Sequence, residues 1–178
     1  MKTCAFAIAL SMAISLNIMG QTTITADPKD VSSLDAIMRA VYDVISGDAG
    51  KPRNWDRFRS LFYEGARLIP SGKNAQTGIV AARVLSPEDY IKRVEPVFAT
   101  QGFYERESAR TTEQYGSIAQ VFSTYESRHA PGDSKPFQRG INSFQLLNDG
   151  KRWWVLSIYW QAETADTPIP EKYLKATK

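Results

Sequence analysis

The sequence predicts an α+β domain in which a strongly curved, mostly antiparallel sheet wraps around about three N-terminal helices. Two observations carry this expectation. Apolar residues recur at helical spacing through the first half, and four strand-like runs, residues 103–114, 117–128, 137–147 and 153–160, occupy the second. Helices with a single apolar stripe must bury it, and a long curved sheet is the surface available to receive it. Such an arrangement encloses a ligand cavity.

The first segment stands apart from the fold. Lys2 precedes an apolar run from Cys4 to Met19, followed by Gly20-Gln21-Thr22-Thr23, the pattern of a secretory signal peptide cleaved near Gly20. The run is shorter than the roughly 20 apolar residues that a membrane span requires, and no second one follows. The mature protein is therefore expected to be secreted or periplasmic, with no membrane span. Cys4 is the only cysteine and lies in the removed segment, so disulfides, thiol catalysis and cysteine metal sites are excluded from the mature chain. Residues 21–30 form a polar lead, 31–162 a single domain, and 163–178 an extended C-terminal tail.

Charge narrows the partners. The 22 basic and 19 acidic side chains are intermixed along the chain, leaving no electrostatic footprint for nucleic acid or an anionic membrane. The single histidine, His129, and the absence of carboxylates at ligand spacing give no metal site, and no cofactor is expected.

Within the domain, Val31, Leu34, Ile37, Met38, Val41, Tyr42 and Ile45 mark one face of a helix capped by Ser32 or Ser33 and ended at Gly47. Asn54 caps a shorter helix that turns Trp55, Phe58, Leu61 and Phe62 inward. Residues 66–69 read as a short strand stopped by Pro70-Ser71-Gly72, and residues 78–85 as another. Ser86-Pro87-Glu88-Asp89 then starts a third helix, with a capping hydroxyl, a first-turn proline and acids at the positive helix end.

Asn148-Asp149-Gly150 suits a three-residue hairpin connection with glycine left-handed, which pairs Leu147 with Lys151. Counting outward, Phe144 faces Trp154, Asn142 faces Leu156 and Gly140 faces Ile158, with Trp160 further along the same apolar face. The other face carries Ile141, Trp153, Val155 and Tyr159. A sheet greasy on both sides is normally covered on both, which predicts a homodimer through the outer face.

The segments 44–47, 55–62, 66–70, 139–144 and 153–160, with the tail segment 168–174, resemble the nuclear transport factor 2-like superfamily, and in particular its small secreted bacterial members of unassigned function. That superfamily's cone-shaped domain is shared by ketosteroid isomerases, scytalone dehydratase and SnoaL-like polyketide cyclases. The resemblance spans about residues 33–161 and implies the cone fold; fold alone does not fix chemistry. Ketosteroid isomerases use a carboxylate base near the end of the first strand, and an oxyanion hole made of a tyrosine and a protonated aspartic acid. By this likeness the base position falls near Pro70, which accepts no proton. The oxyanion acid corresponds to Asn142, which donates without titrating, and the tyrosine to Tyr42.

Three functions follow as expectations. In the first, the domain binds a small, mainly apolar molecule without turnover. Phe144, Trp154, Leu156, Ile158 and Trp160 form its wall, while Asn142 and Tyr42 orient one polar group. In the second it is an isomerase, dehydratase or cyclase in which Glu105, Glu107 or His129 supplies the missing proton acceptor. A carboxylate inside the pocket distinguishes the second from the first. The third is a protein-interaction module, with a filled cavity and an exposed patch of Trp153, Val155 and Tyr159.

Overall fold

The computed structural model describes residues 24–175, so the signal segment lies outside the described residues. Four helices, α1 (Pro28–Val31), α2 (Leu34–Ile45), α3 (Trp55–Ser60) and α4 (Pro87–Phe98), pack into the concave side of one sheet. Its strands are β1 (Phe62–Lys73), β2 (Val80–Ala82), β3 (Tyr104–Tyr115), β4 (Ile118–Arg128), β5 (Gln138–Asn148) and β6 (Trp153–Ala162), in the order β2-β1-β6-β5-β4-β3. All neighbours are antiparallel except β1 and β6. The sheet curves without closing. Among the described residues, no helix is long and apolar enough to cross a membrane.

The helix starts follow from local chemistry. Ser33 is the cap of α2, its hydroxyl accepting from Ala36 N at 3.1 Å, and Asn54 caps α3 by accepting from Arg57 N at 2.9 Å. Ser86 and Asp89 form a reciprocal capping box on α4. The stretch read as a polar lead contains α1, begun by Asp27. Its buried Asp30 takes a two-pronged ion pair from Arg57, at 2.7 and 3.0 Å, while Arg57 also reaches Asp43. One guanidinium thus ties α1, α2 and α3 together.

A second arginine closes the end of α2. Buried Arg53 donates to the carbonyls of Ile45 (2.9 Å), Gly47 (2.7 Å), Asp48 (3.2 Å) and Lys51 (2.6 Å), and lies over the Phe98 ring. The Ile45 carbonyl has no next turn of helix to bond it, and a cation at a helix C-terminus is favoured by the helix dipole.

Pro70 does not stop β1, which continues to Lys73. In the antiparallel pairing beside it, Arg83 N donates to Pro70 O, so the missing N–H costs one bond on the side facing only the short β2.

The last hairpin departs from the predicted register. Asn148 pairs with Trp153, leaving a four-residue connection closed by Asp149 Oδ1, which accepts from the backbone of Lys151 and Arg152, both at 2.8 Å. Gly150 does adopt the left-handed conformation, at φ +88°. A register shift then falls between the pairs Leu146/Val155 and Gln145/Ser157, with Leu156 as the extra residue. The bulge decides which side chains face inward. Beyond it Phe144 meets Ile158 and Asn142 meets Trp160, whereas before it Val155 points into the core and Trp154 points out. Trp154 therefore leaves the expected wall, packing on Tyr63 and Arg152 and donating to Asp149 at 2.8 Å. Leu156 leaves it as well and is partly exposed. Trp153 and Val155 are core residues, so the expected outer patch retains only Tyr159.

Part of the outer face is covered by the chain itself. After β6 the backbone turns at Thr164 and Thr167, and Ile169 N donates to Glu163 Oε1 at 3.0 Å. Tyr173 then packs on Phe122, while its carbonyl accepts from Thr124 Oγ1. The tail thus covers Phe122 and Thr124 of β4 on that face.

Replacing Arg53 with Ala removes a donor from four carbonyls at and after the end of α2, of which Gly47 and Asp48 keep a backbone partner. Urea denaturation is expected to show a loss of about 2–4 kcal/mol, of which Arg53→Lys recovers only a small part because an ammonium cannot span the same fork.

Candidate functional site

Between the helices and the concave sheet lies a cavity of about 280 Å³. Val41 and Ile45 of α2, Phe58 of α3 and Tyr90, Val94 and Phe98 of α4 line the helical side. The sheet contributes Leu68, Tyr125, Asn142, Phe144, Ile158 and Trp160. The exposed Gln101, His129 and Gln138 mark its open side. Apolar walls with a few convergent polar groups are the ordinary make-up of a small-molecule site.

The central polar group is Glu105 on β3. Its carboxylate accepts from Ser127 Oγ at 2.8 Å and makes a long 3.5 Å contact with Asn142 Nδ2. Ser46 holds its backbone, accepting from Glu105 N at 3.0 Å. Burial disfavours the charged form and pushes the carboxyl up to about 7, against the smaller opposing effect of the Ser127 and Asn142 hydrogen bonds. Glu105 is thus poised to hold or release a proton near neutrality.

A directed chain of hydrogen bonds fixes Asn142. Ser123 Oγ donates to Glu107 Oε2 at 2.5 Å, so its own lone pair receives the Tyr42 hydroxyl at 2.7 Å, and Tyr42 in turn accepts from Asn142 Nδ2 at 3.1 Å. Glu107 is anchored by Arg110, which also reaches Asp35. The amide of Asn142 must therefore present its NH₂ to Tyr42 and Glu105. Tyr42 is buried behind this chain and borders a more open groove of about 590 Å³, not the apolar cavity. Glu107 borders that groove too, and Glu105 borders both.

Two groups were missed by the sequence reasoning. Tyr90 and Tyr125 line the cavity, and their hydroxyls make no hydrogen bond among the described residues. Burial, then the charge of Glu105, holds both phenols above the usual tyrosine range, so they are donors and not anions. Tyr125 had a legible signal, because it pairs with Gly140 across β4 and β5. A Cβ on Gly140 would fall 2.5 Å from the Tyr125 hydroxyl and 2.4 Å from the carbonyl of Gln161. Only glycine lets the ring lie across the strand.

Of the other expected residues, Phe144, Ile158 and Trp160 line the cavity, and Trp154 and Leu156 do not. His129 stands at the open side, stacked on Phe137 at 4.2 Å with Nδ1 3.1 Å from Gly102 O. That carbonyl accepts, so Nδ1 carries the hydrogen and Nε2 is left as the acceptor in the neutral ring. No group of three or more metal-ligating side chains occurs among the described residues.

No family model and no curated protein matches the sequence. Solved structures do. An NTF2-like protein of unknown function from Silicibacter pomeroyi DSS-3 superposes with a TM-score of 0.50 at 15% identity, covering 74% of this chain and 94% of that one. The chain has the NTF2-like fold. A second NTF2-like protein of unknown function, from Methylobacillus flagellatus KT, gives 0.47 at 13% identity, covering 74% and 95%. This NTF2-like domain shares the cone architecture, six curved strands around a few N-terminal helices, and at these identities nothing about chemistry is transferred.

Because the folded pKa of Glu105 lies above its unfolded value, its neutral form stabilises the fold below about pH 4.5. That contribution is lost as pH rises towards about 7. Urea titrations from pH 4.5 to 8 are expected to show the wild type losing up to about 3 kcal/mol more than Glu105→Gln over this window. Parallel pH profiles for the two proteins would refute a buried, proton-holding Glu105.

Proposed function

We propose that this NTF2-like domain binds a small, mainly apolar molecule in the cavity between helices and sheet, with the molecule's polar group held at Glu105, Tyr90 and Tyr125. One observation carries the reading: an apolar cavity lined by two tyrosines whose hydroxyls have no hydrogen-bond partner among the described residues, and by a carboxyl with only hydroxyl and amide neighbours there. Polar groups inside an apolar wall cost free energy unless something completes their hydrogen bonds, and a ligand does so while filling the space. The Met1–Gly20 segment supports the further reading that binding takes place outside the cytoplasm.

A second reading, proton-transfer chemistry of the isomerase or dehydratase kind, is favoured by the placement of Glu105. A carboxyl balanced near neutral pH beside an open cavity has the protonation behaviour that a general acid or base requires. Glu105, and not Glu107, is the candidate, since Glu107 is engaged by Arg110 and Ser123 away from the cavity. A homodimer through the uncovered part of the outer sheet remains part of the proposal, supported by the exposure of Tyr159 and Leu156.

Native mass spectrometry of the purified protein is expected to show a molecule carried through purification, and a fluorescent apolar dye should titrate into the emptied cavity. Val94→Trp, on the half-exposed side of α4, places an indole across the opening and is expected to weaken dye binding at least about ten-fold with an unchanged circular dichroism spectrum. Equal dye affinity in the variant would remove the cavity as the binding site.

A further inference from the structure

We propose that the ligand is a monovalent organic cation, an amine or ammonium carried on an apolar body, paired with Glu105. This inference rests on the small-molecule reading above and specifies the chemical class. Among the described residues, Glu105 is the only acidic or basic side chain on the cavity wall apart from the histidine at the open side, and no lysine or arginine lines it. Of the four arginines of the neighbouring groove, Arg110 is paired with Glu107 and Asp35, Arg106 and Arg128 are paired with Glu126, and Arg39 is an exposed side chain of α2 that makes no ion pair with Glu105. The carboxyl therefore has no counter-charge from the protein, only the Ser127 hydroxyl and the Asn142 amide. A half-buried carboxylate placed in this way is completed either by a proton or by a cation.

The walls favour the cation. Phe58, Tyr90, Phe98, Phe103, Phe144 and Trp160 bring aromatic rings from both sides of the cavity. Ring faces carry negative potential and attract organic cations, most strongly where water is excluded. An anionic ligand would meet the same rings and the same carboxyl with no positive group to receive it. The groups facing Glu105 are Tyr42 on α2, Tyr90 on α4, Tyr125 on β4, Asn142 on β5 and Glu107 on its own strand, with His129 at the open side. None of the first five supplies a positive charge.

The proton balance is fixed by this pairing. Below neutral pH the free protein holds Glu105 as the acid; when the cation enters, the carboxyl releases its proton to solvent and the carboxylate pairs with the ligand. Cation binding should therefore strengthen as pH rises, whereas a neutral ligand has no reason to follow that trend.

Isothermal titration of the purified full chain with 2-phenylethylammonium and with 2-phenylethanol tests the class, because the two probes differ in charge at nearly constant shape. The amine is expected to tighten at least about ten-fold from pH 6 to pH 8, and at pH 8 to bind at least about ten-fold more tightly than the alcohol. Glu105→Gln should lose the amine preference and its pH dependence, with an unchanged circular dichroism spectrum reporting that the variant is folded. Equal affinity for the two probes at pH 8, or an amine preference that survives in Glu105→Gln, overturns the cation class and leaves the cavity reading intact. Failure of both probes together with failure of dye binding overturns the cavity reading and this inference with it.

Discussion

The constraint on which this molecule turns is the seating of one carboxyl, Glu105, in a wall that is otherwise nearly all apolar. A charge there loses most of its hydration, so the surrounding chain must either neutralise it or offer polar partners. The protein provides Ser127 from the next strand and Asn142 from the one beyond, and fixes the amide through Tyr42, Ser123, Glu107 and Arg110. Arg110, the one cation in that arrangement, is paired with Glu107 and Asp35. The apolar walls and the polar chain behind them are thus two sides of one device: the first raises the cost of charge, and the second keeps the carboxyl in place in either protonation state.

The helical layer is held by arginines for a related reason. Helices this short leave a large share of their backbone groups without intrahelical partners. Arg53 answers the carbonyls at the end of α2, and Arg57 binds α1 and α2 from α3 through Asp30 and Asp43. Both are planar forks that satisfy several acceptors at once. Because α2 carries Tyr42, Val41 and Ile45, the rigidity of its C-terminal end is transmitted directly to the cavity wall and to the hydrogen-bond chain.

Much of this was legible in the sequence where one local rule dominated. Ser86-Pro87-Glu88-Asp89 can hardly start anything but a helix, and α4 begins there. The strand runs were read to within a few residues, and the inward alternation through Asn142 and Phe144 held because residues on one side of a bulge keep the same parity. The reading failed where one residue changed that parity. Leu156 as a bulge is indistinguishable in sequence from any other strand leucine, and it alone moves Trp154 out and Val155 in. Asp149 also accepts two backbone N–H groups, lengthening the connection beyond the three residues that Asn148-Asp149-Gly150 implies. The likeness to the NTF2-like proteins correctly placed the cone but could not place the acid, because Glu105 lies on a strand remote from Pro70.

The position of Glu105 also accounts for a pattern that otherwise looks redundant, the concentration of tyrosines around one point. Tyr42, Tyr90 and Tyr125 come from three different elements, and each phenol is held above its usual range by burial and by the nearby carboxyl. A phenol that does not ionise is a permanent donor with an aromatic face. Tyr42 spends its hydrogen on Ser123, inside the structural chain, whereas Tyr90 and Tyr125 have none among the described residues on which to spend theirs. Gly140 makes room for Tyr125, since a Cβ there would strike its hydroxyl as well as the carbonyl of Gln161. A phenol oxygen accepts as well as donates, so an ammonium in the cavity can give Tyr125 a hydrogen bond that a phenylalanine at 125 could not receive.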